Sequence, residues 1–198
     1  MWLTQDGTPI ETLEELESGS DRTIAVVSAS IVESLIEDVL KKALCTDETG
    51  YGRHVQNYAF SPDGMIGTFG SKITLLFLMG FLTEDAHRDL LNLKYLRNKF
   101  AHYSENHSFG LQPVKDRCAN FRLIKSRIKA ANAFTVNKEG KRIETTSVSK
   151  GVDGLFLHIP DYANSISSAR GQFVSTAKLL CAAFSPVLNG EKISKPAI

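Results

Sequence analysis

The stretch "LKYLRNKFAHYSENHSF", residues 93–109, carries the pattern that decides how this sequence folds. Leu93, Leu96 and Phe100 recur at spacings of three and four residues. That period is typical of the buried stripe of an amphipathic α-helix. The stretch therefore predicts a helix that packs one edge against a core and leaves polar residues on its other edges.

Three polar residues of the same helix could carry chemistry. Asn98 and His102 are four residues apart and share a face, whereas Arg97 lies about 140° from His102 on an ideal helix. An imidazole exchanges a proton near neutral pH, and a guanidinium binds phosphate oxygens. We therefore predict a catalytic set for attack of a ribose 2′-hydroxyl on the adjacent phosphate of RNA. His102 is the acid and base, Arg97 the phosphate clamp and Asn98 the orienting residue.

The same residues also have a structural interpretation, which the sequence leaves open. An arginine near a helix end can pair with a carboxylate, and a histidine there can interact with the last backbone carbonyls. Under this interpretation Arg97 and His102 stabilise the helix and catalyse nothing. No acidic metal cluster stands out in the chain, so neither a metal nor a cofactor is expected.

Periodicity and capping residues predict further helices outward from this stretch. Asp21 is placed to cap an amphipathic helix over residues 22–44. Residues 45–68 are rich in Gly, Asp, Thr and Pro and are predicted to form a loop. A buried helix follows through "GSKITLLFLMGFL" and ends near Gly80, and Thr83 then caps the helix that contains the opening stretch.

The second half of the chain predicts two more helices and one irregular segment. Pro113 is placed to open a helix over residues 112–134. A last helix runs through residues 165–184, and Pro186 is expected to stop it. Between them, residues 134–162 change character, and Val, Ile and Thr around "KEGK" favour a small β-hairpin or a mobile excursion.

The predicted fold class is therefore all-α, a helical bundle of four to five helices around one core. Residues 1–20 form an acidic N-terminal lead, residues 21–190 a single helical domain that includes the 134–162 excursion, and residues 191–198 a tail.

Composition places the chain among ordinary soluble proteins. Of its 198 residues, 42% are hydrophobic and 23% are charged. The longest apolar run, "ITLLFLMGFL", is about half of the roughly 20 residues that a membrane span needs. The acidic N-terminus lacks the basic and apolar regions of a secretory signal. Three widely spaced cysteines form no disulfide framework, so we expect a reducing cytoplasm.

Charge is unevenly distributed although the formal net charge is only +1. Residues 1–48 hold eleven acids against three bases, and residues 115–142 hold nine bases against two acids. The basic segment can be an RNA-binding footprint, or these charges can face water and neutralise one another within the fold or across a dimer. The candidate RNA-binding residues are Lys99, Tyr103, His107, Lys115, Arg117, Arg122 and Lys125.

The hexapeptide "RNKFAH", residues 97–102, resembles the R-N-x-x-x-H signature of the HEPN superfamily. That resemblance implies a dimeric helical bundle and a metal-independent endoribonuclease of toxin–antitoxin or phage-defence type. Its active site would form at the dimer interface from both copies of the motif. An antitoxin or regulatory protein would be a further partner.

A second resemblance covers about half of the chain, from Asp21 to Arg122. The order of "SDRTIAVVSASIVESLIEDVLKKAL", "FGSKI", a "GFL" turn and the Arg-Asn helix is similar to the mannitol operon repressor (MltR-like) family. This resemblance implies an all-helical, non-catalytic transcriptional regulator that acts through protein partners. The intact R-N-x-x-x-H motif departs from the founding repressors and favours the ribonuclease hypothesis, with the MltR-like regulator as the alternative.

Overall fold

The helix from Asp21 to Leu44, α1, is the element against which most of the fold packs. The computed structural model describes residues 18–44, 50–102, 107–126 and 166–188. Five further helices follow in chain order: α2 Tyr51–Phe60, α3 Phe69–Leu78, α4 Glu84–Ala101, α5 Gln112–Cys118 and α6 Ala169–Leu188. The α3, α4 and α6 helices pack directly on α1, and α5 packs on α4 and α6.

The core forms where the apolar stripes of these helices meet. The buried stripe of α1 faces α4 and α6, and Leu93, Leu96 and Phe100 of the opening stretch are all buried against it. Aromatic rings extend the core toward the second half of the chain. Phe100 packs on Phe109 with a centroid distance of 4.8 Å, and Phe109 packs on Phe173 of α6 at 5.4 Å.

Local capping fixes where α3 ends and α4 begins. Thr68 and Ser71 form a capping box at the start of α3. At its other end Gly80 has φ 75°, a conformation that favours glycine, and its N–H donates to the carbonyl of Phe77. Three residues later the Thr83 hydroxyl accepts the N–H of Ala86, which caps α4 as predicted.

A buried carboxylate joins α4 to the segment that follows α5. Asp89 of α4 is 1% exposed and accepts the backbone N–H groups of Arg122 and Leu123 at 2.9 Å. Burial raises the pKa of Asp89, and the two N–H groups offset only part of that rise. Because an acid with a raised pKa favours folding as the pH falls, this group does not drive acid unfolding.

The all-α bundle is confirmed, but four details of the prediction are wrong. Asp21 does not cap α1, because the helix begins at Asp21 and the Ser20 hydroxyl accepts the N–H of Thr23. The 45–68 segment is no simple loop, because residues 51–60 form α2. The helix expected over residues 112–134 ends at Cys118, and helical backbone resumes at residues 123–126 after the turn that Asp89 holds. The last helix continues past Pro186 to Leu188, since a proline in the final turn removes only one backbone hydrogen bond.

Other sequence predictions fall partly or wholly outside the described residues. The 134–162 excursion and the 191–198 tail lie outside them, and so does most of the 1–20 lead. Within the described ranges no helix is long and apolar enough to cross a membrane. Cys118 and Cys181 are buried and form no disulfide in the described part of the chain. Burial raises the pKa of each thiol to about 12, which keeps both protonated at neutral pH.

The link through Asp89 predicts a large stability effect. In Asp89→Ala the N–H groups of Arg122 and Leu123 lose their acceptor, and we expect the free energy of unfolding to fall by about 3 kcal/mol. Urea denaturation followed by circular dichroism measures it. Asp116→Ala is the control, because Asp116 is exposed and accepts one hydrogen bond, from Gln112, among the described residues. It should cost less than about 0.5 kcal/mol. Equal losses in the two variants would contradict the anchoring role.

Candidate functional site

The side chain of Arg97 points back toward α1 rather than toward His102. Its Nη2 lies 3.3 Å from Oε2 of Glu33 on α1, and the side chain is 32% exposed. Its Nη1 donates to Oδ1 of the neighbouring Asn98 at 3.2 Å. The guanidinium predicted to clamp phosphate is therefore occupied by a carboxylate and an amide of the same chain.

Arg97 belongs to a larger ionic network between α1, α3 and α4. Lys72 of α3 is only 4% exposed, and its Nζ lies 3.2 Å from Oε1 of Glu33 and 2.7 Å from Oε2 of Glu37. Lys41 closes the network, with its Nζ 2.6 Å from Oε1 of Glu37. A buried ammonium is stable only when it is paired, so Lys72 holds both glutamates in place.

The pKa values of the network show how strongly its members are coupled. Burial acts to raise the pKa of Glu37, but hydrogen bonds from Lys41 and Lys72 outweigh it and leave that pKa below its ordinary value. Burial acts to lower the pKa of Lys72, but hydrogen bonds to Glu37 and Glu33 leave it raised. Both ions are thus favoured at neutral pH, and their stabilisation weakens at acidic pH and at strongly alkaline pH.

His102 lies on the other side of α4, at its C-terminal cap. Its backbone is extended, with φ −73° and ψ 126°, and its side chain is exposed. Among the described residues no hydrogen bond joins His102 to Arg97 or Asn98. The last turn of α4 is capped by Arg22, whose Nη2 donates to the carbonyl of Ala101 at 2.5 Å.

The R-N-x-x-x-H motif is therefore divided between two faces of one helix. Arg97 faces the ionic network, His102 faces solvent, and the half-buried Asn98 lies between them and bonds to Arg97. In the described part of one chain, His102 therefore has no free Arg97 beside it to bind a phosphate. His102 is accessible to solvent, and Arg97 is paired with Glu33.

The structure gathers only two of the predicted RNA-binding residues, around an exposed tyrosine. Arg117 stacks over the ring of Tyr95 at 4.3 Å from its centroid, and Nζ of Lys99 lies 5.9 Å from the same centroid. Lys115 is exposed on the same short helix as Arg117. The amide of Asn92 donates to the carbonyl of Arg117 at 2.8 Å, which fixes α5 beside α4.

The remaining predicted RNA-binding residues lie elsewhere. Arg122 is paired with Asp85 at 2.8 Å, near the N-terminal end of α4. His107 is half-buried, and its ring centroid lies 6.1 Å from that of Phe100. Lys125 is exposed near the end of the 107–126 range, and Tyr103 lies outside the described residues. The predicted set does not form one continuous basic patch in the part of the chain that is described.

Sequence reasoning missed the partners that explain this arrangement. Lys72 stands in the middle of the apolar run of α3, and a lysine there signals a buried ion pair. Tyr95 follows Leu91 by four residues and precedes Lys99 by four, which signals one exposed row. Within the described ranges no three His, Cys, Asp or Glu side chains are grouped closely enough to hold a metal ion.

Comparison with known proteins supports the fold. No family model matches the sequence, and no curated protein matches it. Among solved structures, the fold is similar to a chain in the X-ray structure of the MtlR-HPr complex from Escherichia coli. The TM-score is 0.55 at 13% sequence identity, and the similarity covers 89% of this chain and 95% of that chain. At this level of identity the likeness shows a shared helical fold.

The ionic network yields a pH-dependent prediction. Lys72→Met leaves Glu33 and Glu37 without their buried cation, and we expect the free energy of unfolding at pH 7 to fall by about 3 kcal/mol. The loss should shrink as the pH falls to about 3, because the pKa of Glu37 lies below its ordinary value and protonation there weakens the same ion pair in the wild type. Urea denaturation at both pH values measures the difference.

Lys41→Met is the matched control for Lys72→Met. Its side chain is 37% exposed, pairs with Glu37 one turn earlier and lies 5.4 Å from the ring centroid of Phe60. Both contacts are weak at a partly exposed site, so the loss should stay below about 1.5 kcal/mol. A Lys72→Met loss that is small, or that does not change with pH, would show that the network does not stabilise the fold.

Proposed function

We propose that this chain is a non-catalytic regulator that acts in the cytoplasm by binding a protein partner. The observation that carries the proposal is the position of Arg97, which pairs with Glu33 on the side of α4 away from His102. A metal-independent ribonuclease needs a cation on the scissile phosphate together with a proton shuttle. In the described part of one chain, the cation that the motif supplies, Arg97, is paired with Glu33 instead of lying beside His102.

The likeness of fold supports a protein partner. A helical chain of similar architecture was crystallised as the MtlR-HPr complex, so a bundle of this shape can serve as one half of a protein complex. The present chain shares the arrangement of helices with it and resembles the mannitol operon repressor family in the order of its segments. A role as a regulator that docks on a protein is consistent with both.

The second candidate is the HEPN-type endoribonuclease that acts as a homodimer in a toxin or defence system. It is favoured by one observation, the exposure of His102 on the edge of α4 that also carries Asn98. In this candidate, two copies would bring two His102 side chains and two Arg97 side chains to one interface. Each Arg97 would then have to exchange Glu33 for an RNA phosphate.

An RNA cleavage assay in EDTA separates the two candidates. We expect purified wild-type protein and His102→Ala to leave a mixed-sequence RNA equally intact, because Arg97 pairs with Glu33 and lies about 140° around α4 from His102. Gel electrophoresis of labelled RNA over time measures cleavage. A wild type that cuts RNA, at least about 100-fold faster than His102→Ala, would contradict the proposal and support the ribonuclease. Circular dichroism checks that the variant is folded, as expected for an exposed side chain.

A second experiment tests partner binding directly. We expect affinity-tagged protein, isolated from the cells that naturally make it, to retain a partner that forms a defined complex again from purified components. Mass spectrometry identifies the protein, and size-exclusion chromatography with light scattering measures the rebuilt complex. Isolation of RNA alone, or failure to rebuild any protein complex, would count against the proposal.

A further inference from the structure

We infer that one exposed face of α4 and α5 is the docking surface for an acidic, partly apolar segment of a protein partner. The Tyr95 face, as we name it, consists of Leu91, Tyr95, Lys99 and Arg117. The inference rests on the proposed function and deepens it, because it assigns a surface to the binding event and a chemistry to the partner.

The Tyr95 face is an apolar row that the bundle leaves uncovered. Leu91 and Tyr95 are four residues apart on α4 and are 39% and 40% exposed. One turn before Leu91, His87 stacks on Phe77 of α3 at 4.4 Å, which continues the row toward a second helix. Leu78 beside Phe77 is 76% exposed, although the run around it is among the most apolar in the sequence. Apolar side chains in such a row favour contact with another protein surface.

The charge on this face is positive, and the described residues supply no counterion for it. Lys99 and Arg117 both lie against the Tyr95 ring, and no carboxylate within the described ranges forms an ion pair with either. The exposed Lys115 of α5 likewise has no acidic partner among those residues. By contrast, the charges at the N-terminal end of α4 are neutralised locally, since Arg88 pairs with Glu84 at 2.6 Å.

These two properties define the partner. Carboxylates on a docked segment would pair with Lys99 and Arg117, and a guanidinium can bind a carboxylate through two parallel hydrogen bonds. Apolar side chains of the same segment would pack on Leu91 and on the free edge of Tyr95. Tyrosine and arginine at the centre of a contact are the residue types that contribute most to protein binding.

A protein segment fits this face better than RNA. The guanidinium of Arg117 already covers the Tyr95 ring at 4.3 Å, so a base would have to displace it in order to stack there. Leu91 and Phe77 offer no hydrogen-bond donor to a sugar-phosphate backbone, whereas they can bury apolar side chains. In this inference Lys99 and Arg117, which the sequence predicted to bind RNA, bind carboxylates of a protein segment.

Fluorescence anisotropy with defined probes tests the surface. The first probe is a labelled 18-residue peptide of Leu and Glu arranged as an amphipathic helix, about five turns long. A matched peptide with Lys for Glu and a single-stranded oligouridine are the other two. We expect the full chain to bind the acidic peptide at least about tenfold more tightly than either of them. We expect Arg117→Glu and Tyr95→Ala each to weaken that binding about tenfold.

Arg53→Glu is the matched control for the charge change. Arg53 is an exposed cation on α2, so its reversal alters net charge by the same amount without touching the Tyr95 face. We expect it to change the affinity for the acidic peptide by no more than about twofold. Equal weakening by Arg53→Glu and Arg117→Glu would overturn the inference, as would no binding of the acidic peptide. Tighter binding of oligouridine that Arg117→Glu abolishes would instead make the face a nucleic-acid site.

The same variants separate failure of this surface from failure of the proposed function. If a rebuilt protein complex still forms with both Arg117→Glu and Tyr95→Ala, the Tyr95 face is not the docking surface, and the proposed function is not contradicted. RNA cleavage that depends on His102, together with the absence of any protein complex, would contradict the proposed function itself. Circular dichroism of each variant checks that the substitution has not unfolded the bundle.

Discussion

A single buried ammonium constrains much of this bundle. Lys72 is almost completely removed from water and therefore requires the carboxylates of both Glu33 and Glu37. Those glutamates lie one turn apart on α1, so their ion pairs with Lys72 set the position of α3 along the axis of α1. Glu33 also accepts Arg97, and this pair acts together with the buried stripe of α4 to set the rotation of α4 about its own axis. These ion pairs thus join three helices, in addition to their apolar packing.

That rotation decides which parts of α4 are available for function. With Arg97 turned toward α1, the opposite side of the helix presents Leu91, Tyr95 and Lys99 to solvent, and His102 follows at the cap. The buried stripe, the ionic edge and the exposed row are three different sides of one element. A well-packed helix can therefore carry an Arg-Asn-His motif, because the arginine pairs within the fold and the histidine faces water.

Local signals in the sequence were sufficient for most of the helices, and long-range contacts account for what they missed. Thr83 capped α4 and Gly80 ended the turn after α3, because both depend only on neighbouring residues. The break after Cys118 depends on Asp89, about thirty residues earlier, and no local pattern shows it. The spacing of Arg97 and His102 predicted their separation on the helix, but the carboxylate that binds Arg97 became visible only in three dimensions. The catalytic and RNA-binding roles of these residues remain predictions.

The Arg97–Glu33 ion pair is not by itself a barrier to catalysis. Its side chains are 32% and 18% exposed, and partly exposed pairs of this kind contribute on the order of 1 kcal/mol, which a phosphate could replace. The angular separation of about 140° is the stronger constraint, because it is set by the helix and cannot relax within one chain. A ribonuclease would therefore need a second copy to complete its site, whereas the Tyr95 face is complete in a single chain. The requirement for a second copy is thus the physical difference between the two functions.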